Sequence, residues 1–452
     1  MMFYGPTRSL RVGVTGLARA GKTAFLTSVA ANLLAQGAGL AVLPALSTRF
    51  AGRGFRATIA PSGAHATPRF DHRAHLISLA SDPARWPERT AAVSLLSLDL
   101  EIQRTGLVSA FPPRRIRLEF LDYPGEWLLD LPLLSQDFYQ WSEATLRRLE
   151  TPEMAPIARD FLAFMRGLPQ GAMADETLAA TGHGLYRAAL RRLRDEAGLV
   201  FLQPGRFLMP APGPEPPWMG FFPMFGRGAL GALLAERYDA YCRAVRDDLA
   251  SPLFGRVDRL VVLADILSAL HTGSVAFEDT RVALSAAAEA LRWRRAWMDY
   301  VPLLRDLPLP DWLSPGGIRR VAFAATKSDH VADRQRGNLA ALVRNLTELP
   351  RVAQGVPTAS FAIAAIRCTE DFVWTLEGRN ISAVRGRVLG DDRLTRSYPG
   401  EVPDRPPDLP FWAHPFLALP EFEPRQLPEA GRVGISHIGL DGLLAFLLED
   451  VL

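Results

Sequence analysis

Gly16, Gly21, Lys22 and Thr23 stand in the spacing G-x-x-x-x-G-K-[ST] within RVGVTGLARAGKTAFL. That spacing is the signature of a phosphate-holding loop. The two glycines let the chain turn its N–H groups inward around an anion, the lysine adds a compact positive charge, and the threonine hydroxyl is suited to Mg²⁺. The backbone of Arg19, Ala20, Gly21, Lys22, Thr23 and Ala24 is the expected cradle, with the Arg19 side chain a further candidate for phosphate. A helix starting here adds the positive end of its dipole. The flanks agree with the motif, because an apolar run with Val12, Val14 and Thr15 precedes it and an alanine- and leucine-rich helical pattern follows from Thr23 to Leu34. Among 51 lysines and arginines, Lys22 and Lys327 are the only lysines. A planar guanidinium would overfill a phosphate cradle that an ammonium fits.

Further along, Asp122 follows the short strand pattern Arg117 to Leu121 and is followed by Gly125, a D-x-x-G pair. An acid at a strand end beside a phosphate loop can hold Mg²⁺ through water, and the glycine N–H can meet a terminal phosphate. Glu126 comes next, where many GTPases carry a glutamine that orients water. Thr90 lies just before a strand pattern running from Val93 to Glu101. In GTPases a threonine there closes over the nucleotide and meets Mg²⁺ when the γ-phosphate is present, although a threonine is equally at home simply starting a strand. Thr326, Lys327, Ser328 and Asp329 follow the strand pattern Arg320 to Ala325 and match [NT]-K-x-D. A carboxylate there accepts two hydrogen bonds from the N1–H and amine of guanine, where adenine presents an acceptor instead of one donor. The lysine stem can lie over the base. The strand pattern Ala359 to Ala365 ends in Ala364, Ala365 and Ile366, where GTPases place a box whose backbone N–H contacts guanine O6. His72 and His75 have no third ligand at suitable spacing and are weak metal candidates.

A chain of 452 residues with 48% hydrophobic content has material for more than one domain. Its net charge of +3 comes from dispersed arginines with no long basic run, so no nucleic-acid partner is expected. Two distant cysteines, Cys242 and Cys368, fit a reducing compartment, and no apolar run resembles a signal peptide or a membrane span, so the expected location is cytoplasmic. Gly37 to Arg89 reads as irregular. Trp127 to Ala250 reads as helical, interrupted by the proline-rich Gln203 to Pro223, which is either a docking loop with exposed aromatics or a packed connection. RLVVLAD, Arg259 to Asp265, reads as a strand buried on both faces, and Glu278 to Tyr300 as a long helix. Asp371 to Leu376 and Ile381 to Leu389 flank the turn EGRN as a hairpin. An amphipathic helix with Leu440, Leu443, Leu444, Leu447 and Leu448 comes last. The expected domains are 1–126 and 251–370 as two parts of one core, 127–250 as a helical insertion, and 371–452 as hairpin, proline-rich segment and terminal helix.

With these motifs placed, the chain resembles the YcjX-like P-loop NTPase family of bacterial stress-associated proteins, and more distantly the Ras-like GTPases. TGLARAGKTAFLTS, PRFDHRAHL, RWPERT, LDYPGEWLLDLP, VVLADILSALHTG, TKSDH and AIAAIRCTED carry the resemblance over nearly the full length. It implies an α/β fold, a doubly wound mostly parallel sheet of P-loop GTPase type with a large α-helical insertion. It also implies GTP, GDP and Mg²⁺ as ligands, and a protein partner at the inner membrane that would give a peripheral location without direct membrane insertion. The expected activity is hydrolysis of GTP to GDP and phosphate by a stress-related switch. In that activity Lys22, Thr90 and Glu126 act on the reaction, and Thr23, Thr90 and Asp122 hold the metal. Gly16, Arg19 to Ala24, Gly125, Thr326, Lys327, Asp329, Ala365 and Ile366 bind the nucleotide. The alternatives are an ATPase or kinase, which has no use for TKSD, and a nucleotide-gated scaffold with negligible turnover, which Glu126 in place of glutamine keeps open.

Overall fold

Strands buried on both faces must be apolar at consecutive positions, and Leu260 to Ala264 meet that demand: together with the paired Arg259, all six residues of Arg259–Ala264 are buried in the computed structural model. The structure describes residues 8–50, 54–61, 67–88, 93–104, 109, 111–169, 171–210, 213–251, 257–299, 318–347, 356–376, 378–391, 393–414, 419–428 and 433–451. They group into two units, one made of 1–123, 257–271 and 316–452, the other of 124–256 and 272–315.

The first unit is built on a seven-stranded sheet of β1 (Arg8–Gly16), β2 (Phe55–Ile59), β3 (Ser94–Ile102), β4 (Arg114–Asp122), β5 (Arg259–Ala264), β6 (Arg320–Ala325) and β7 (Thr358–Ala362). Their order is β2-β3-β4-β1-β5-β6-β7. From β4 to β7 the neighbours are parallel, while β2 and β3 add an antiparallel edge. This is the α/β, mostly parallel architecture expected of the sequence. Register aligns the strand ends, with Val14 of β1 opposite Asp122 of β4 and Gly16 opposite Leu263 of β5. The first helix, Lys22–Gly37, and the terminal helix, Leu440–Leu448, share one core with the sheet, in which Phe25, Leu26 and Val29 meet Val12, Phe120 and Leu263 together with Leu440, Leu443, Leu444 and Leu447. Each such side chain contributes about 1.5–3 kcal/mol on burial. A buried arginine fastens the terminal helix: Arg259 Nε donates to Leu447 O at 3.1 Å, and Nη2 reaches Asp450 at 2.7 and 2.6 Å. A separate antiparallel sheet holds β8 (Glu370–Leu376), β9 (Arg379–Arg387) and β10 (Leu394–Ser397), with the expected hairpin between β8 and β9.

The segment Gly37 to Arg89 is not irregular throughout. It holds a helix at Pro44–Phe50, strand β2, and a helix at His72–Ala80 whose first turn is capped by Asp71 Oδ1, accepting the Ala74 N–H at 3.0 Å. Gly37, the last residue of the first helix, is a packing point, since a Cβ there would lie 2.3 Å from Ala57 N.

Among its described residues the second unit has helical regular structure, including Phe138–Leu149, Arg159–Gly167, Glu176–Glu196, Ala229–Val245 and Ser274–Asp299. Its centre is aromatic. Trp141 stacks on Tyr238 with centroids 5.3 Å apart and meets Phe221 edge-on at 5.5 Å. Phe207, Phe221 and Phe222 are fully buried and Trp218 is half-buried, so the aromatics of Gln203 to Pro223 are packed and not exposed, although 213–217 are exposed. Proline denies that segment helical hydrogen bonds, and aromatic burial holds it instead.

Candidate functional site

β1 and β5 approach so closely that a Cβ on Gly16 would lie 2.6 Å from Leu263 O, which only glycine allows. The next residue, Leu17, donates its N–H to Leu263 O at 2.9 Å. The backbone then enters the left-handed region at Arg19 (φ 63°) and Gly21 (φ 76°), the dihedral pattern from which anion-binding nests are made. Gly21 precedes the helix without a side-chain cap, and no acid stands in the first turn. The positive end of the helix dipole at that terminus therefore favours a negative ligand. Lys22 folds back so that Nζ lies 3.4 Å from Gly16 O. Arg19 and Gly21 are exposed, Thr23 and Ala24 half-buried, and the Ala20 N–H turns to Leu17 O at 3.2 Å.

Asp122 is buried at the end of β4, level with Val14 of β1 and with Ser94, the first residue of β3. Gly125 and Glu126 open the short helix Gly125–Leu128 and belong to the second unit. In that unit a Cβ on Gly205 would lie 1.9 Å from Glu126 O, Trp127 Nε1 donates to Met209 O at 2.9 Å, and the Arg206 guanidinium lies 4.4 Å from the Trp127 ring centre. Thr90 lies outside the described residues.

The TKSD segment leaves β6 beside β5, with the Thr326 N–H donating to Ala264 O at 2.9 Å. Lys327 is left-handed at φ 58°, and its Nζ lies 2.6 Å from Asp265 Oδ2. Asp265 was not singled out by sequence reasoning; its one signal is an acid ending the apolar β5 run. Asp329 is 2% exposed, and its Oδ2 accepts the Cys368 N–H at 2.8 Å, while its carbonyl accepts the Thr369 hydroxyl. That joins TKSD to the loop after β7. Ala365 and Ile366 sit in this loop between Ala364 and Arg367, whose N–H groups donate to Ile438 O at 3.0 Å and Ser436 O at 2.8 Å. Burial lowers the pKa of His330, next to Asp329, against the raising effect of that carboxylate.

Buried polar atoms normally have partners. At these strand ends Thr15 Oγ1, Ser94 Oγ, Ser328 Oγ and His330 Nδ1 are buried with none among the described residues. A polar ligand along the strand ends fits that pattern, and a nucleotide with its cation fits the donor set of loop N–H groups, Lys22, the Thr23 hydroxyl and the Asp122 carboxylate. His72 and His75 are accounted for by packing: both are half-buried with pKa lowered chiefly by burial, and His75 lies 4.9 Å from the Phe70 ring.

The model of the YcjX-like family, DUF463, matches residues 10–452. A protein of Escherichia coli (strain K12) named Ras-like GTPase YcjX is 33% identical over 99% of this chain and 97% of its own length. A protein of the same name from Shewanella oneidensis is 32% identical over 98% of this chain and 95% of its own. With agreement from the phosphate loop to the terminal helix, the chain belongs to the YcjX-like family.

Proposed function

We propose that this protein binds GTP and GDP with Mg²⁺ and hydrolyses GTP to GDP and phosphate, serving as a switch in a stress response. One observation carries the reading. The phosphate-type loop and the TKSD loop are tied to neighbouring carbonyls of the same strand end, Leu17 N–H to Leu263 O and Thr326 N–H to Ala264 O, both at 2.9 Å. Ligands of open α/β sheets bind outside the carboxyl ends of the strands, and these two neighbouring ties support reading the two loops together, one for phosphate and one for the base. The names of the relatives support GTP as the nucleotide.

In this reading Lys22 and the loop N–H groups hold the phosphates, and Asp329 selects guanine with help from the backbone at Ala365 and Ile366. Thr23 and Asp122 would hold Mg²⁺, joined by Thr90 when GTP is bound; the ion neutralises charge on the phosphate oxygens. Glu126 is the candidate for orienting the attacking water, from its place after D-x-x-G. Positioning and charge neutralisation are all that such a transfer asks of the protein.

A nucleotide-binding panel followed by a phosphate-release assay tests this. Guanine nucleotides should be preferred over adenine nucleotides by at least ~10³, the discrimination expected of a site built for donors that one base lacks. Asp329→Asn should move the preference towards xanthine, whose carbonyl can receive the new N–H. Equal binding of GTP and ATP by the wild type would overturn the reading.

A further inference from the structure

The Asp265 carboxylate is 6% exposed and receives three donors: the Ser268 N–H at 3.0 Å on Oδ1, and the Ser268 hydroxyl and Lys327 ammonium on Oδ2, each at 2.6 Å. The two bonds from Ser268 start the helix Ile266–Thr272 and are ordinary capping. The bond from Lys327 is not needed for that. It crosses to the next strand, to a residue in a left-handed conformation that lysine seldom adopts.

The choice of lysine is informative. Other described ion pairs use arginine, among them Arg259 with Asp450 and Arg336 with Asp371. An arginine would serve an ion pair as well or better; an unbranched stem with a small head is required where the methylenes themselves form the contact surface. Asp265 draws that head to a fixed point beside β5, and the Thr326 tie to Ala264 fixes the other end of the residue.

We infer that Asp265 is a positioning residue for base recognition: by holding the Lys327 ammonium it sets the lysine stem as a preformed flat surface for the purine ring, next to Asp329. The assignment rests on the guanine-nucleotide reading above and deepens it. A stem ordered at folding loses no rotamer freedom when nucleotide binds, and the gain shows chiefly as slower release.

Full-length protein and GDP carrying a fluorescent ribose ester test this by stopped flow. Asp265→Asn keeps an acceptor for the Ser268 N–H but has no charge for Lys327, and should release GDP about tenfold faster with little change in association. Ser268→Ala, on the same carboxylate, should change release by less than about twofold. In a Lys327→Met background Asp265→Asn should add nothing, because Asp265 acts only through the lysine head. An equal factor in both backgrounds overturns the assignment while leaving GTP binding intact. Wild type without saturable GDP binding overturns both together. One measurement needs no variant to fold. With Lys22 and Lys327 the only lysines, ¹⁵N-lysine labelling gives two ammonium signals. One of them should be protected from exchange before nucleotide is added, and two rapidly exchanging signals overturn the assignment.

Discussion

Asp130 is fully buried and accepts the Gly205 N–H at 2.7 Å and the Tyr241 hydroxyl. Burial pushes its pKa up from 3.8 to about 6, against the pull of those hydrogen bonds and of Arg206. A raised folded-state pKa means that the protonated form is favoured on folding. The stabilisation is complete below the ordinary carboxylate pKa and is lost as pH rises through about 6. Asp130→Asn cannot ionise, so its stability relative to wild type should climb between pH 4 and pH 6, by up to about 3 kcal/mol if the full shift is realised. Urea melts at several pH values, followed by tryptophan fluorescence, give that difference. Parallel curves for the two proteins would mean that Asp130 does not titrate in this window. His183, in the same unit, has its pKa lowered mainly by burial, so its effect appears as pH falls below the usual imidazole range and cancels when variant and wild type are compared. His330 has the same sign in the first unit, which therefore loses stability on acidification below that range through this residue.

The connection 203–209 and the helix Gly125–Leu128 depend on one missing side chain. A Cβ on Gly205 would meet the Glu126 carbonyl oxygen at 1.9 Å, and that carbonyl is backbone, so no rotamer change relieves the clash. Gly205→Ala should destabilise the second unit by at least about 1–3 kcal/mol, the usual cost of overpacking a rigid site. An unchanged urea midpoint would show that the connection has slack. Such dependence is hard to read in a sequence. The turn from Gly16 to Lys22 was legible because glycine spacing dictates it, β5 because five apolar residues in a row, Leu260 to Ala264, have few other uses, and the β8–β9 hairpin because EGRN stands between two β-rich runs. The short helices before and after β2, and β2 itself, were not. Arg56 interrupts the apolar signal of β2, and its pairing with β3 comes from tertiary contact. Proline density announced an irregular course for Gln203 to Pro223, but the burial of Phe207 and Phe221 rests on Trp141, Tyr238 and Tyr241, far off in sequence. The same distance hid Asp265, whose partner lysine lies in the turn after β6.

Among the described residues no helix is long and apolar enough to cross a membrane. If the protein reaches the inner membrane through a protein partner, purified chain should stay at the bottom of a flotation gradient with protein-free liposomes, and strong flotation would replace that partner by lipid. The first unit is also closed by residues remote from its loops. Ile435 N–H donates to Asn32 Oδ1 of the first helix at 3.0 Å, and Ile438 N–H donates to Ala364 O at 2.9 Å. One short stretch thus spans the helix behind the phosphate loop and the loop joined to Asp329. Ile438→Pro, which lacks that N–H, should weaken GDP binding by about tenfold, read by titration, and unchanged affinity would remove the stretch from the site. Synthesis gives this arrangement a history. At about 5–20 residues per second, roughly 20–80 s separate the emergence of Lys22 from that of Ile438. During that interval a ribosome carries the first helix and the loop after β7 without the stretch that bonds to both. A nascent chain halted before Ile435 would lack both of those bonds, and should hold GDP no better than the Ile438→Pro variant.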